Sequence, residues 1–146
     1  MSQTPVQPDP QVARAVGASL FGGVLMTDVL GLPRGFDLES YLGVLMILGG
    51  LLAWFGSVWL LVDDRDRVWW YGLAEGTLIT LGWVMTRVFG LPVTRGTTAG
   101  EWGERTALLM LFFAVNLVIL SGWVLRARRR GRHVPVVSAR DREWRR

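Results

Sequence analysis

Apolar residues fall along this chain in four long runs separated by short polar stretches: Val12–Leu32, Ser40–Val62, Val68–Gly90 and Thr106–Leu125. Each reaches the roughly 17 to 25 residues that a helix needs to cross a hydrocarbon core about 30 Å thick. Lipid offers no water to a bare amide or carbonyl, so runs of this kind must be helical. The pattern predicts an all-α membrane protein with four transmembrane helices. The connections "PRGFDLE" and "DDRDR" are short and "PVTRGTTAGEWGER" is longer. Links of this length set consecutive helices side by side, giving an antiparallel up-down four-helix bundle. Residues 1–11 then form a polar N-terminal segment, 12–125 the bundle and 126–146 a basic tail.

A nine-residue phrase recurs: "LMTDVLGLP" at 25–33 returns as "VMTRVFGLP" at 84–92, with Asp28 exchanged for Arg87. Downstream, Leu45-Met46, Ser57 and Trp59 align without gaps to Leu109-Met110, Ser121 and Trp123. The first two helices therefore read as one copy and the last two as another, a parallel repeat of helical hairpins about a pseudo-two-fold along the membrane normal. Gly-Leu-Pro is in form a helix stop, because Gly accepts the left-handed conformation and Pro cannot continue a helix. Gly31, Pro33, Gly90 and Pro92 are thus expected to end the first and third helices.

Charge orients the bundle. Arg126 to Arg146 contains nine Arg against Asp141 and Glu143, and the rest of the chain seven Arg against ten acids. Arg-rich flanks stay on the cytoplasmic side, so the tail is inside and, with four spans, so is the N-terminus. The opening segment has no basic region ahead of a short apolar core, and the first helix is expected to be retained. Trp69, Trp70 and Tyr71 mark an inner aromatic belt, Tyr41 and Trp102 an outer one. Arg126, Arg128, Arg129, Arg130 and Arg132 directly follow the fourth helix, where a basic cluster is drawn to anionic lipid headgroups.

Composition narrows the chemistry. Hydrophobic residues make up 51% of the chain, with eight Trp and eighteen Gly. There is no Cys, no Lys and a single His in the tail, which removes thiol chemistry, a Schiff-base lysine and a His-based metal centre. No catalytic site, cofactor, metal or nucleic-acid partner is expected. Ala15, Ala18, Ser19, Gly22 and Gly23 share one face of the first helix, and Gly49, Ala53 and Ser57 recur on the second, so close helix packing or a seam for a second copy follows.

Charged residues inside the membrane are costly and so informative. Glu75 lies about 10 Å into the third helix at 1.5 Å per residue. It shares a stripe with Gly72, Gly76, Ile79, Trp83 and Thr86, which turns it inward. Asn116, Ser19 and Ser57 come to a similar depth, and a buried polar cluster with Glu75 is expected. Such a cluster is a structural network, a relay for protons or cations or a substrate contact, or an interface to a partner subunit. Asp28 and Arg87, each three residues before a Gly-Leu-Pro, read as outer helix ends. An anion is disfavoured there and a cation favoured, so Asp28 should seek Arg87 or Arg34. By helical phase Asp28 points away from the small-residue face of its helix.

"TRVFGLP" at 86–92 and "GEWGE" at 100–104 resemble small four-helix integral membrane proteins of actinobacteria, in which Thr/Ser-Arg-x-x-Gly-Leu-Pro precedes a Gly-x-Trp-x-Glu outer loop. The resemblance covers the third and fourth apolar runs and rests on Arg87, Gly90, Leu91, Pro92, Trp102 and Glu104. Arg105 stands where a Pro commonly follows. The resemblance implies the same topology and a bacterial plasma-membrane location, and implies no activity. From the residues two functions are open. One is a non-enzymatic accessory or scaffold subunit binding lipid and a membrane partner or a second copy. The other is a small channel or transporter using Glu75 and Arg87.

Overall fold

A computed structural model of the chain describes residues 9–38, 40–89 and 105–132. Four α-helices account for nearly all of them: α1 (Pro10–Leu38), α2 (Ser40–Val62), α3 (Asp66–Phe89) and α4 (Arg105–Arg132). Three stretches, Pro10–Asp37, Ser40–Val62 and Arg105–Arg130, are long and apolar enough to cross a membrane. They mark the chain as a membrane protein. α3 falls outside that group because Glu75, Thr77, Thr80 and Thr86 dilute its apolar residues.

The start of α1 is written locally. Asp9 accepts the Gln11 amide on its side chain at 2.9 Å and the Ala13 amide on its carbonyl at 3.0 Å, and Pro10 takes the first helical position. A short acceptor at the cap and a proline with no amide to lose are what a helix start favours.

The end of α1 departs from expectation. Gly31 and Pro33 do not stop the helix, which runs on to Leu38 with Pro33 inside it. A proline within a helix forfeits one backbone bond and crowds the carbonyl four residues back. Packing outweighs that cost here. Gly31 is buried against Met46, and a methyl group on Gly35 would stand 3.3 Å from the Gly43 nitrogen. The two backbones approach so closely that leaving the helix at Gly31 would forfeit this contact. "PRGFDLE" is therefore mostly helix rather than loop, with Arg34 on α1. Gly90 and Pro92 lie outside the described residues, as do Trp102 and the whole 90–104 connection.

α1 lies along α2 through a register of pairs: Gly17 with Leu60, Phe21 with Gly56, Leu25 with Gly50, Asp28 with Gly49, Gly31 with Met46 and Gly35 with Gly43. Arg14, Phe21, Asp28 and Gly35 recur every seven residues, the spacing that keeps one seam turned toward a neighbour. The other side of α1 meets α4, where Gly23 receives the Phe113 ring. α3 packs on α4, and α2 and α3 touch only lightly. The core runs through Phe21, Val24, Ala53, Leu60, Trp69 and Leu117. Large apolar side chains such as Leu51, Trp54, Leu78, Phe112 and Ile119 point outward. Glycines at the helix contacts and large apolar side chains on the outer surface suit a solvent of lipid tails, where close backbone packing replaces hydrophobic collapse.

The two helix pairs, α1 with α2 and α3 with α4, are not packed alike. Ser57 donates to the Ala18 carbonyl on α1 at 3.3 Å, whereas its aligned counterpart Ser121 lies against Gly72. In the repeat alignment Gly72 corresponds to Ala13, so the second pair is displaced along its seam by more than one helical turn.

Candidate functional site

The buried polar residues among those described are Thr27, Asp28, Glu75, Arg87 and Ser121. Glu75 is 8% exposed, and both its carboxyl oxygens are buried without a hydrogen-bond partner. Glycines on either side bring it into the bundle. Gly72 admits Ser121 and Leu117 of α4, and at Gly76 an added methyl would stand 2.8 Å from the Ala114 carbonyl oxygen. The helical stripe expected from sequence is present: Gly72, Glu75 and Gly76 are buried, and Ile79, Trp83 and Thr86 are half-buried.

The expected cluster around Glu75 does not form. Ser19 is exposed and donates to the Ala15 carbonyl at 2.9 Å. Asn116 donates to the Phe112 carbonyl at 2.7 Å, and Ser57 to Ala18. Each satisfies its donor on a nearby backbone carbonyl, the local competition to which small polar side chains in helices are prone. Similar depth placed these residues at one level without turning them toward one another.

Asp28 takes the place intended for that cluster. It is 5% exposed, ten residues before the end of α1, with Oδ2 against Gly49 of α2. Because α1 continues past Pro33, Asp28 is no helix terminus, and the dipole argument for a cation partner falls away. It forms no ion pair with Arg87 or Arg34 among the described residues. It lies against α2, whereas Gly23 of the small-residue face meets α4. Glu75 of α3 lies within electrostatic range of Asp28. Thr27 beside it donates to the Gly23 and Val24 carbonyls at 3.1 and 2.8 Å and offers no proton to either acid. Asp28 and Glu75 are thus two buried acids on different helices, neither of them in an ion pair among the described residues. Arg87 is buried in the last turn of α3, with its guanidinium 5.8 Å from the Trp83 ring centroid.

The aromatic belt is rearranged too. Successive residues of a helix point about 100° apart, and only Trp70 of the three faces outward. Trp69 is 1% exposed and donates to Asp64 Oδ1 at 3.2 Å. Tyr71 turns to α2 and donates to the Leu52 carbonyl at 2.9 Å, one turn before Glu75.

At the opposite end, two arginines lock the helices. Arg128 binds Asp64 at 2.6 Å and Asp66 at 3.2 Å and also donates to the Asp64 carbonyl. α4 therefore clasps the turn between α2 and α3. Arg14 donates to the Leu60 carbonyl at 3.0 Å and to the Leu61 carbonyl, meeting the open end of α2. Both roles escaped the sequence reading, which assigned Arg128 to lipid; the acidic "DDRDR" turn was the available signal. Arg129 lies 5.5 Å from the Trp70 ring centroid, and Arg126 and Arg130 are exposed. The side chain of Arg132 is outside the described residues. No group of three or more metal-binding side chains occurs among the described residues.

No protein-family model, curated protein or solved structure matches this chain.

Proposed function

We propose that the chain is a small transporter or channel of the bacterial plasma membrane, in which the Asp28–Glu75 acid pair takes up and releases protons or cations. The observation that carries this reading is a carboxyl, Glu75, with both oxygens buried and without a hydrogen-bond partner, in a bundle that buries a second acid, Asp28, on another helix. A charged acid in lipid costs about 2.5 to 3.5 kcal/mol even on the lenient insertion scale. Packing alone would select an apolar residue at either position. An intramembrane acid with no ion pair among the described residues is suited to take up and release a mobile proton or cation.

In this reading α3 is the fourth span and the helices form an antiparallel up-down bundle with both termini cytoplasmic. The α1–α2 pairs, rising along one helix and falling along the other, support the first hairpin. Gly72 with Ser121 and Gly76 with Ala114 support the second. Arg14, Arg65 and Arg128 gathered at one end agree with a cytoplasmic side rich in arginine. The two hairpins would descend from one duplicated ancestor, of the actinobacterial kind that the Arg87–Pro92 phrase resembles.

Reconstituted liposomes with an internal pH-sensitive dye test the function. Wild-type protein should dissipate an imposed proton gradient, and Glu75→Gln should abolish the flux. Wild-type vesicles as tight as empty ones under proton, sodium and potassium gradients would remove this reading.

A second reading, an accessory or scaffold subunit, draws on Gly82 and Gly122, in front of which a methyl group would find open space. Small residues on an outer face suit a docking helix or a second copy. Outer-face crosslinks from a cysteine at Gly82 to another chain in native membranes would favour it.

A further inference from the structure

The thinnest seam of the bundle, between α2 and α3, is filled by rings. Tyr71 stands at the centre, its centroid 6.0 Å from Phe21, 6.2 Å from Phe55 and 5.9 Å from Trp59, while Phe55 and Trp59 lie 5.4 Å apart. Gly56 makes room for them; a methyl group there would stand 2.5 Å from Phe21 and 2.8 Å from Tyr71. Phe55 is 50% exposed, so the group reaches from the outer surface to the interior. One turn further along α3 is Glu75, buried and unpartnered.

We propose that Glu75 and the rings of Phe21, Phe55, Trp59 and Tyr71 form a binding site for a lipophilic, monovalent organic cation, entered from the bilayer between α2 and α3. This deepens the proposed function and rests on its reading of Glu75 as an acid without a fixed counter-ion. Three features set the ligand class. Aromatic faces carry negative quadrupole potential and attract cations. The interior acids Glu75 and Asp28 attract cations as well and repel anions. A hard divalent metal is poorly served, since it wants six or more oxygens, and no group of three or more metal-binding side chains occurs among the described residues. A diffuse organic charge wrapped in apolar groups fits both the rings and a route through lipid.

Tyr71 is the latch. Its hydroxyl bond to the Leu52 carbonyl is the polar tie between α2 and α3 at this level. Breaking it lets the ring swing from the seam, opening the path to Glu75 while Arg128 still holds the α2–α3 turn. The titratable groups facing Glu75 are Asp28 from α1 and Tyr71 from α3 itself; α2, and α4 between Arg105 and Arg126, bring no charge. An arriving cation therefore takes the place of a proton on Glu75 and meets no positive group of α2 or of this part of α4.

The test measures binding of tetraphenylphosphonium to the purified full chain in detergent by titration calorimetry. Tetraphenylborate, an anion of the same shape, and neutral triphenylphosphine oxide serve as comparisons. The phosphonium should bind about tenfold or more tightly than either, as a cation over aromatic faces beside a desolvated acid requires. Glu75→Gln should remove that preference, and Trp59→Leu should weaken phosphonium binding several-fold. Equal binding of phosphonium and borate overturns the proposal without any variant, and so does undiminished binding in monodisperse Glu75→Gln. Should that variant fail to fold, undiminished binding in Trp59→Leu overturns it. Glu75-dependent proton flux with no phosphonium binding also overturns it and leaves the proposed function standing. Glu75-dependent phosphonium binding without ion flux supports the site and removes transport.

Discussion

Gly76 is where α3 and α4 come closest, and adding one methyl group there measures that contact. The new carbon would stand 2.8 Å from the Ala114 carbonyl oxygen and 2.9 Å from a Val118 methyl carbon. The first of these is backbone and cannot turn aside, so the helices must separate by several tenths of an ångström. Overfilling a close-packed site costs about 1 to 3 kcal/mol. The opposing term is helix propensity, which favours Ala over Gly by up to about 1 kcal/mol in water. It shrinks in dodecyl sulfate, where the denatured chain keeps much of its helix. Gly82 supplies the control, since on the same helix a methyl group there meets nothing within 4 Å. Gly76→Ala should lie about 1 to 3 kcal/mol below Gly82→Ala, a factor of about 5 to 150 in the unfolding equilibrium. The assay is unfolding in mixed dodecyl sulfate and dodecylmaltoside micelles, followed by tryptophan fluorescence. Agreement of the two variants within about 0.5 kcal/mol, the usual scatter of surface substitutions, would refute the close α3–α4 approach.

Arg128→Gln removes both ion pairs on Asp64 and Asp66, which are half-buried. It should cost about 1 to 2 kcal/mol after solvent screening and speed hydrogen exchange at residues 63–66. Unchanged exchange there would dismiss the clasp. Asp28→Asn and Glu75→Gln should leave micellar stability unchanged or raised, because neither acid has a cation to lose. Asp64→Asn should lower it, and a lowered midpoint in Asp28→Asn would reveal a stabilising partner. Arg14→Leu strips the Leu60 and Leu61 carbonyls of a donor and should fray the end of α2 at a cost of about 1 kcal/mol, read as faster exchange around Val62 and Asp63. Equal exchange in wild type and variant would sink that role.

The helices themselves were legible because the demands that make them are local. A run of apolar residues as long as Ser40–Val62 has no other way to satisfy its backbone in lipid. The inward face of Glu75 was legible for the same kind of reason, since 3.6 residues per turn sets it on one stripe with Gly72 and Gly76. α3 shows the limit even here: its polar residues leave it less apolar than its neighbours, and length and composition alone do not mark it as a span.

Misreadings arose wherever a residue had a choice of neighbours. Gly-Leu-Pro has the form of a stop, yet α1 passes through it because Gly31 and Gly35 fit against Met46 and Gly43, residues of another helix. Ser19, Ser57 and Asn116 share a depth with Glu75, yet each found a carbonyl within reach. Periodicity fixes the angle of a side chain about its own helix axis. It does not say which helix stands at that angle, or how far that helix has slid. Rotation and register come from the fit of surfaces distant in sequence, such as Gly76 on Ala114 or Arg128 on Asp64. That fit set Asp28 against Gly49 of α2 instead of in a pair with Arg87, and it left the aromatic seam between α2 and α3 as the lightly packed side of the bundle.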